Sequence, residues 1–259
     1  VSKRIFFVAY LVFFTLISSL IAFGSESKDF DLWIKGLKVR LEKQNISKAT
    51  INRYLTSDIR PILKIIRLDR NQPEYKLTFR EYYRRVIVGH KRKAKKKLVF
   101  YKDKLSEIEQ KYKVEKKYIV SLWAMESKLG ADKGKYPAID ALVTLAYDGR
   151  RGKFFEKELT ILLKLIDKGK IKKTQNIKSS WAGALGDFQF MPSSYAQYGV
   201  DYNNNGYVDL WNELDDAFAS AANYLHSNKW QYKSPCMEKV KVTKDFNFTK
   251  LINIKKKYS

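Results

Sequence analysis

Three observations predict that this chain forms a mainly α-helical fold. Apolar residues recur at helical spacing through most of residues 28 to 130. Hydrophobic residues make up 45% of the chain and aromatic residues 14%, a composition typical of a folded protein. With 259 residues, the chain is long enough for one sizeable core, or for a domain with a small extension.

The first 24 residues predict a signal peptide or a membrane anchor. Lys3 and Arg4 precede an uncharged stretch, residues 5–23, that is rich in Phe, Leu, Ile and Val. Ala22-Phe-Gly24 is a suitable cleavage site for a signal peptide, yet a stretch of about nineteen residues is also long enough to span a bilayer. Both interpretations place the rest of the chain outside the cytoplasm.

The region that follows predicts a series of helices. Ser47 is placed to cap the second helix, with Ile46 and Ile51 forming a hydrophobic staple across its start. Pro61 opens another segment, and a long charged helix from about residue 77 is expected to break near Lys113. The first helix is indicated by apolar residues at helical spacing: Phe30, Trp33, Ile34, Leu37 and Leu41.

Glu126 is the candidate catalytic residue. It is predicted to lie on the buried face of a helix that ends at Gly130. Poor hydration on such a face raises the pKa of a carboxyl group and keeps it protonated near neutral pH, as a general acid requires. The alternative is a partly exposed glutamate that pairs with Lys128. The apolar residues that share its face are Ile119, Leu122, Trp123 and Leu129.

The second half of the chain contains helices and one segment of different composition. Helices are predicted at about 137–147 and 152–168, and a further helix is bounded by Asp216 and Leu225. Between them, Ser179–Tyr195 combines glycine and other small residues with aromatic rings, which is typical of a groove for a sugar chain or of a close helix–helix contact. A short tail follows Trp230, with a strand-like segment at 239–243 and lysines at its end.

Residues 201–212 match the first part of an EF-hand calcium loop. Position 6 is Gly206, whereas position 12 is Asn212 instead of the usual glutamate, so a longer loop would recruit Asp215 or Asp216. We expect weak binding of a structural Ca²⁺, the alternative being an Asn/Gly-rich turn without metal. The proposed oxygen donors are Asp201, Asn203, Asn205, Asp209 and the Tyr207 carbonyl.

The formal net charge is +24, which suits an anionic membrane surface, an acidic polymer or nucleic acid, or reflects a lysine-rich genome. The run Lys91–Lys97 is most simply a solvated helix face. No basic motif with interleaved aromatic residues is present, so nucleic acid is not expected as a partner. Cys236 is the only cysteine, which excludes an intramolecular disulfide.

Seven segments, in order and spread over residues 28 to 240, resemble the lytic murein transglycosylases of the membrane-bound type B family, glycoside hydrolase family 103. The resemblance implies a lysozyme-like fold with an additional helical region and an EF-hand-like loop. It also implies cleavage of the β-1,4 bond between N-acetylmuramic acid and N-acetylglucosamine in peptidoglycan without water, which leaves 1,6-anhydro-muramoyl ends. The matching segments are 69–74, 123–130, 141–151, 180–186, 189–195, the loop from Asp201, and 216–217 with 222–225.

Carried over by motif, Glu126 is expected to be catalytic. Ser180 and Gln189 are expected to contact the glycan, and Tyr224 to pack against a sugar ring. A lone glutamate suffices if the attacking hydroxyl belongs to the substrate, and no cofactor is expected for the chemistry. Asp148 and Asp187 are the carboxylates that sequence alone leaves open as a second group near Glu126, and Asp187 puts extra negative charge in the glycine-rich loop.

The predicted organisation is a leader (1–24), a catalytic domain (25–240) and a short basic tail (241–259), shortened relative to the family. The expected partner is the peptidoglycan glycan strand, with inner-membrane contact through residues 5–23. The expected location is the periplasm, as a soluble or anchored protein. The alternative function is a truncated, inactive peptidoglycan-binding protein tethered to the membrane.

Overall fold

The computed structural model describes residues 29–71, 78–172, 176–235 and 241. The predicted leader, Cys236 and most of the predicted tail lie outside these residues. No helix among the described residues has both the length and the apolar character needed to cross a bilayer. In chain order the helices are α1 (29–43), α2 (Lys48–Tyr54), α3 (Leu63–Asn71), α4 (Phe79–Tyr82), α5 (Gly89–Phe100), α6 (Lys102–Tyr112), α7 (Lys116–Ser127), α8 (Ala138–Asp148), α9 (Gly152–Asp167), α10 (Pro192–Tyr198) and α11 (Leu214–Ser227).

The mainly helical prediction is confirmed. Within the described residues, the sheet consists of two short antiparallel strands, β1 (Tyr136–Pro137) and β2 (Lys178–Ser179). The chain then turns back on itself, with isolated bridges from Leu185 to Ser179 and to Phe190. The segment rich in glycine and aromatic residues is therefore an irregular loop, which β2 fixes at one end and α10 at the other.

Helix α8 lies at the centre of the core. Eight of its eleven residues are buried, because its Ala, Leu, Val and Ile side chains surround the helix on nearly every side. It packs along α9 and also contacts α3. The ring of Trp123 in α7 meets Phe218 of α11 edge to face, with centroids 5.2 Å apart, and so extends the core to the two helices that border the site.

The predicted start of the second helix is confirmed. The Ser47 hydroxyl accepts a 3.2 Å hydrogen bond from the backbone N–H of Thr50, and Ile46 and Ile51 are both buried. Asp167, at the end of α9, accepts hydrogen bonds from the hydroxyls of Ser47 (2.5 Å) and Thr50 (2.6 Å). This cap therefore also joins α2 to α9.

The long charged helix is more interrupted than predicted. A π-helical segment, Tyr83–Val88, joins α4 to α5, and the chain bends again at Tyr101. At this point the Tyr101 ring packs against Trp123 and Phe218, with centroids 6.0 and 5.7 Å away. The predicted break at Lys113 is confirmed, since this residue adopts a left-handed conformation with φ of 55°.

Candidate active site

Helix α7 carries Glu126 one residue before its end. The helix stops at Ser127, earlier than the predicted stop at Gly130, because Lys128 and Leu129 already have φ values of 54° and 62°. Gly130 continues the turn with φ of +85°. The Leu129 N–H donates back to the Trp123 carbonyl at 3.1 Å, which ties the turn to the helix.

The prediction that Glu126 lies on the buried face of its helix is wrong. Trp123, three residues earlier, is 2% exposed, whereas Glu126 is an exposed residue at the mouth of a groove. Glu126 lies at the edge of the helix face that carries Trp123, beside the groove that it lines together with Leu122. Even so, the walls of the groove displace enough water to raise the pKa of the Glu126 carboxyl, and this loss of hydration is the cause of the shift. The open groove leaves the carboxyl group accessible to solvent, while the groove walls take the place of part of its hydration shell.

The groove beside Glu126 has a volume of about 220 Å³. It runs between α7, α11 and the loop that precedes α10. Its walls are apolar and aromatic, with one amide, two hydroxyls and one carboxylate among them. The lining residues are Leu122, Glu126, Phe188, Gln189, Phe190, Met191, Ser194, Ala221 and Tyr224.

Gln189 is one of the predicted glycan contacts, and the structure places it in the groove. It has a left-handed backbone with φ of 50°, at the tip of a tight turn. The turn is closed by reciprocal hydrogen bonds of 2.8 and 2.9 Å between the backbones of Leu185 and Phe190. The Gln189 side chain donates a 2.9 Å hydrogen bond to the Gly186 carbonyl, which leaves its amide oxygen as the acceptor for a ligand.

Tyr224 also lies in the groove, on the wall formed by α11. Its ring is 5.8 Å from that of Phe190 and 5.0 Å from that of Tyr198, and the residue is 38% exposed. Ala221, three residues earlier on the same helix, leaves space beside the ring. The arrangement presents part of a fixed aromatic ring to the groove.

Ser180 does not belong to the lining of this groove. Its hydroxyl accepts a 3.2 Å hydrogen bond from the Ala184 N–H and so stabilises the loop internally. The backbone of Gly134 packs closely against the end of β2, just before Ser180, since a Cβ on Gly134 would lie 2.0 Å from the Ser179 carbonyl carbon. The described contacts therefore give Ser180 a supporting place in the loop, and its contact with glycan stays a prediction.

Asp187 is buried, with 1% exposure, and does not line the groove. One carboxylate oxygen accepts a 2.7 Å hydrogen bond from the Trp123 indole, and the other lies 2.9 Å from the Lys133 ammonium. Burial raises the pKa of Asp187 above its ordinary value, against the opposing effect of the hydrogen bonds from Lys133 and Trp123. The expected extra negative charge beside Glu126 is thus paired with a lysine.

Asp148, the other candidate second carboxylate, is also outside the groove. It pairs with Arg70 at 2.6 Å, on the side of α8 that faces α3. Glu126 is therefore the one carboxylate among the described residues that line the groove.

The predicted cation loop folds as a compact turn. The two carboxylate oxygens of Asp201 accept hydrogen bonds from the backbone N–H groups of Asn205 (3.0 Å) and Gly206 (2.7 Å). The side-chain amides of Asn203 and Asn205 both donate to the carboxylate of Glu213, which lies outside the predicted donor set. The loop thus gathers oxygen-bearing side chains around one carboxylate.

The other proposed donors are engaged elsewhere. Asp215 pairs with Lys104 at 3.1 Å, and the buried Asp216 accepts from the backbones of Tyr202 (2.8 Å) and Asp209 (2.9 Å). Asp209 accepts from the backbones of Trp211 and Asn212. No group of three or more His, Cys, Asp and Glu side chains within the described residues is arranged to hold a metal ion. Any cation at the loop would therefore depend on the Asp201 carboxylate together with the asparagine and backbone oxygens.

The spacing of residues in the sequence did not predict two features of this site, the contact between Trp123 and Asp187 and the position of Glu213. Trp123 and Asp187 are 64 positions apart, and no pattern in either segment links them. Glu213 was missed because it follows the position that an EF-hand reserves for its last ligand. Its acidic side chain directly after Asn212 was the available signal.

Comparisons with known proteins identify relatives of this chain. The family model described as "Transglycosylase SLT domain" matches residues 29–259. Membrane-bound lytic murein transglycosylase B of Escherichia coli (strain K12) is 40% identical over 131 residues, which are 50% of this chain and 36% of that protein. The match therefore spans little more than a third of the curated relative.

Solved structures agree with this relationship. SltB3 from Pseudomonas aeruginosa, in complex with NAG-NAM-pentapeptide, superposes with a TM-score of 0.76 and 29% identity, over 85% of this chain and 59% of that one. Slt35 from Escherichia coli, in complex with calcium, gives a TM-score of 0.67 and 30% identity, over 78% of this chain and 64% of that one. The lysozyme-like fold of lytic transglycosylases, predicted above, is thereby confirmed.

Proposed function

This chain belongs to the transglycosylase SLT domain family, and we propose that it is a lytic transglycosylase. The proposed reaction cleaves the β-1,4 bond between N-acetylmuramic acid and N-acetylglucosamine in peptidoglycan and leaves a 1,6-anhydro-muramoyl end. The observation that carries the proposal is the groove in which Glu126, with its raised pKa, is the one carboxylate among the described lining residues. The named relatives support the substrate class, since SltB3 was solved with a NAG-NAM-pentapeptide.

The single carboxylate determines which reaction is favoured. Most glycosidases use two carboxyl groups, about 5 to 9.5 Å apart, one as acid and the other as base or nucleophile. With Glu126 as the one carboxylate among the described lining residues, a nucleophile supplied by the substrate is favoured. The 6-hydroxyl of the muramoyl unit is a suitable group because it is already attached to the reacting sugar, so its attack avoids the entropic cost of capturing a second molecule.

Glu126 performs both proton transfers in this scheme. In its protonated form it donates to the bridging oxygen as the bond from that oxygen to the muramoyl C1 breaks. The resulting carboxylate then takes the proton of the 6-hydroxyl as that oxygen bonds to C1. The cycle returns Glu126 to its protonated form, and no water is consumed. The poorly hydrated carboxyl suits this role because its raised pKa increases the protonated fraction.

The remaining groove residues position the sugar chain. We assign Tyr224 to packing against a sugar ring and Gln189 to hydrogen bonding with the glycan, because both lie in the same groove as Glu126. The substrate's own acetamido group stabilises the positive charge that develops on the muramoyl ring. Ser180 is assigned to the glycan by its motif, and its hydrogen bond to Ala184 supports the loop that carries Gln189.

A structural calcium site at the Asp201 loop is part of the proposal. The donors present are carboxylate, amide and backbone oxygens, which match the preference of Ca²⁺ for oxygen ligands. Asp201, Asn203, Asn205 and the Tyr207 carbonyl would hold the ion, with Glu213 adjacent. The ion would stabilise the loop that leads into α11, and no chemical step depends on it.

We place the activity in the periplasm, on the evidence of residues 1–24. The charged start and the apolar stretch 5–23 predict export, followed either by cleavage or by retention as an inner-membrane anchor. The relative named membrane-bound lytic murein transglycosylase B supports a location near a membrane.

The test is to incubate the full chain with purified peptidoglycan and to analyse the released sugars by mass. Anhydro-muramoyl ends are the expected product. Reducing ends would show a hydrolase instead, and the absence of soluble product alongside retained binding would show a peptidoglycan-binding protein. Either of these two results would overturn the proposal.

A further inference from the structure

The segment from residue 82 to residue 102 is a concentrated block of positive charge. It contains nine Lys and Arg residues and no Asp or Glu, since the nearest acids are Glu81 and Asp103. Six of the nine lie in the run Lys91–Lys97. The proposed glycan chemistry makes no use of this block.

The helix that carries the run lies on the surface, with His90, Ala94, Lys97 and Leu98 partly covered and the other residues exposed. None of the residues of α5 is buried. Apolar side chains project outward among the cations, with Val88 57%, Val99 74% and Phe100 76% exposed. Val88, Arg92, Lys95 and Val99 follow one another at helical spacing and share one face. The surface thus combines cations with exposed apolar side chains.

An apolar groove lies beside this face, between α5 and α7. Its volume is about 410 Å³, larger than that of the groove at Glu126. Ile87, Leu98, Val120 and Ala124 are among its apolar lining residues. The cations on its lining are Lys91, Lys95 and Lys117. The structure thus combines a cationic rim with an apolar recess.

Most of this charge is not paired with a carboxylate of the described residues. No salt bridge among the described residues involves Lys91, Arg92, Lys95 or Lys96, whereas Lys104 and Lys133 pair with carboxylates. Lys97 differs from its neighbours, because its ammonium lies over the rings of Tyr101 and Trp123, at 5.4 and 5.7 Å. The outward-facing cations therefore present a positive field to a partner outside the chain.

We propose that this basic α5 surface, formed by Val88, Lys91, Arg92, Lys95, Lys96, Val99 and Phe100 with the adjacent groove, binds the anionic face of a phospholipid bilayer. Anionic headgroups satisfy the cations, and the layer beneath them receives the exposed valines and phenylalanine. A soluble polyanion would neutralise the cations but would leave the apolar residues exposed. Neither terminal segment of this chain supplies acidic groups for these cations, since residues 5–23 contain no Asp or Glu and the tail after residue 252 is itself basic.

The position of this surface has a consequence for the proposed activity. Met125 lines the α5–α7 groove and Glu126 lines the catalytic groove, so the two lie on neighbouring faces of α7. A bilayer bound at the basic α5 surface would hold the catalytic groove beside the membrane. The binding itself does not depend on the proposed chemistry.

The test measures the partition of the full chain onto two kinds of vesicle, phosphatidylcholine alone and an equal mixture of phosphatidylcholine and phosphatidylglycerol. The quantity of interest is the ratio of the two partition coefficients, because insertion of residues 5–23 contributes to both. One variant replaces Lys91, Arg92, Lys95 and Lys96 with glutamine. Its matched control replaces four lysines that line a separate groove between α1 and α9, namely Lys43, Lys153, Lys157 and Lys164.

We expect the wild type and the control to favour the anionic vesicles strongly. The α5 variant should lower the ratio by more than about a hundredfold, since each cation near an anionic surface contributes about fivefold. A second variant, Val99→Ser with Phe100→Ser, should weaken partition onto the anionic vesicles by about fivefold or more. Circular dichroism of each variant checks that the fold is retained.

Three outcomes would overturn the proposal. The first is an equal loss in the α5 variant and its control, which would show a general effect of net charge. The second is an unchanged ratio in the α5 variant. The third combines two results: the wild type binds soluble polyglutamate and the α5 variant does not, and the Val99/Phe100 variant retains full binding to vesicles. Together these results would identify the surface as a site for polyanions.

Discussion

The indole N–H of Trp123 donates a 2.7 Å hydrogen bond to Oδ1 of Asp187. This buried bond joins the helix that carries Glu126 to the loop that carries Gln189, and so helps to hold the two sides of the groove together. Lys133 faces the other oxygen of Asp187 at 2.9 Å and offsets its charge. Three groups that do not line the groove therefore fix its geometry.

Removal of the Asp187 carboxylate should destabilise the protein. We expect Asp187→Ala to lower the free energy of unfolding by about 3 kcal/mol, because the substitution leaves Lys133 and the Trp123 indole without their buried partner. Asp187→Asn should cost less, since the amide oxygen still accepts from the indole. Urea denaturation measures both values.

Glu107→Ala is the matched control for these variants. Glu107 pairs with Lys104 at 3.5 Å on the surface, with a side chain that is 59% exposed, so its loss should cost less than about 1 kcal/mol. An Asp187→Ala variant as stable as the Glu107→Ala control would contradict the role assigned to this contact.

Gly186 and Gly169 form a matched pair for testing the loop of the groove. Their φ values are nearly equal, +68° and +69°, but a Cβ on Gly186 would lie 2.4 Å from the Leu210 carbonyl oxygen, whereas one on Gly169 would meet nothing within 4 Å. Gly169→Ala should cost about 1 to 2 kcal/mol from backbone strain alone. Gly186→Ala should cost about 1 to 3 kcal/mol more from the clash. Equal losses in thermal or urea unfolding would show that the close approach is unimportant.

The pKa of Glu126 predicts how stability changes with pH. Because the loss of hydration in the groove raises this pKa above its ordinary value of 4.5, the folded protein binds the proton more tightly than the unfolded chain does. The free energy of unfolding should then decrease as the pH rises from about 4.5 through the folded-state pKa. Glutamine cannot ionise, so Glu126→Gln should have the higher melting temperature at neutral pH. This advantage should disappear at a pH well below 4.5.

Melting curves of the wild type and the Glu126→Gln variant, recorded across this range, provide the measurement. A variant that is no more stable than the wild type at neutral pH would mean that the carboxylate is well hydrated in the groove.

Calcium should raise the melting temperature if the Asp201 loop binds it in the folded protein only. We expect the increase to be measurable at about millimolar calcium, because asparagine at positions 3 and 5 lowers the charge of the ligand set. Asp201→Ala should abolish the increase, since Asp201 supplies the first ligand and also accepts from Asn205 and Gly206. A calcium response that persists in Asp201→Ala would place the ion elsewhere.

The sequence predicted the helical fold well, because helical spacing and caps are local properties. The Ser47 cap, the break at Lys113 and the positions of α8 and α9 all follow from residues close together in the chain. The bend at Tyr101 was not predictable in this way, and it coincides with ring contacts to Trp123 and Phe218, which are distant in the chain.

The site was only partly accessible from the sequence. The motifs selected Glu126, Gln189 and Tyr224, which the structure brings to one groove. Helical spacing alone placed Glu126 on the buried face, because it indicates which residues are neighbours but not where the core ends and a groove begins. The link between Trp123 and Asp187 depends on tertiary packing and leaves no trace in local spacing.

The most direct test of the catalytic account compares the wild type with Glu126→Gln for release of anhydro-muramoyl products from purified peptidoglycan. Glutamine keeps the size and polarity of the side chain but cannot donate the proton. We expect release to fall by at least about a hundredfold, while binding of the protein to sedimented peptidoglycan is unchanged. Release at the wild-type rate by this variant would contradict the assignment of Glu126 as the group that transfers the proton.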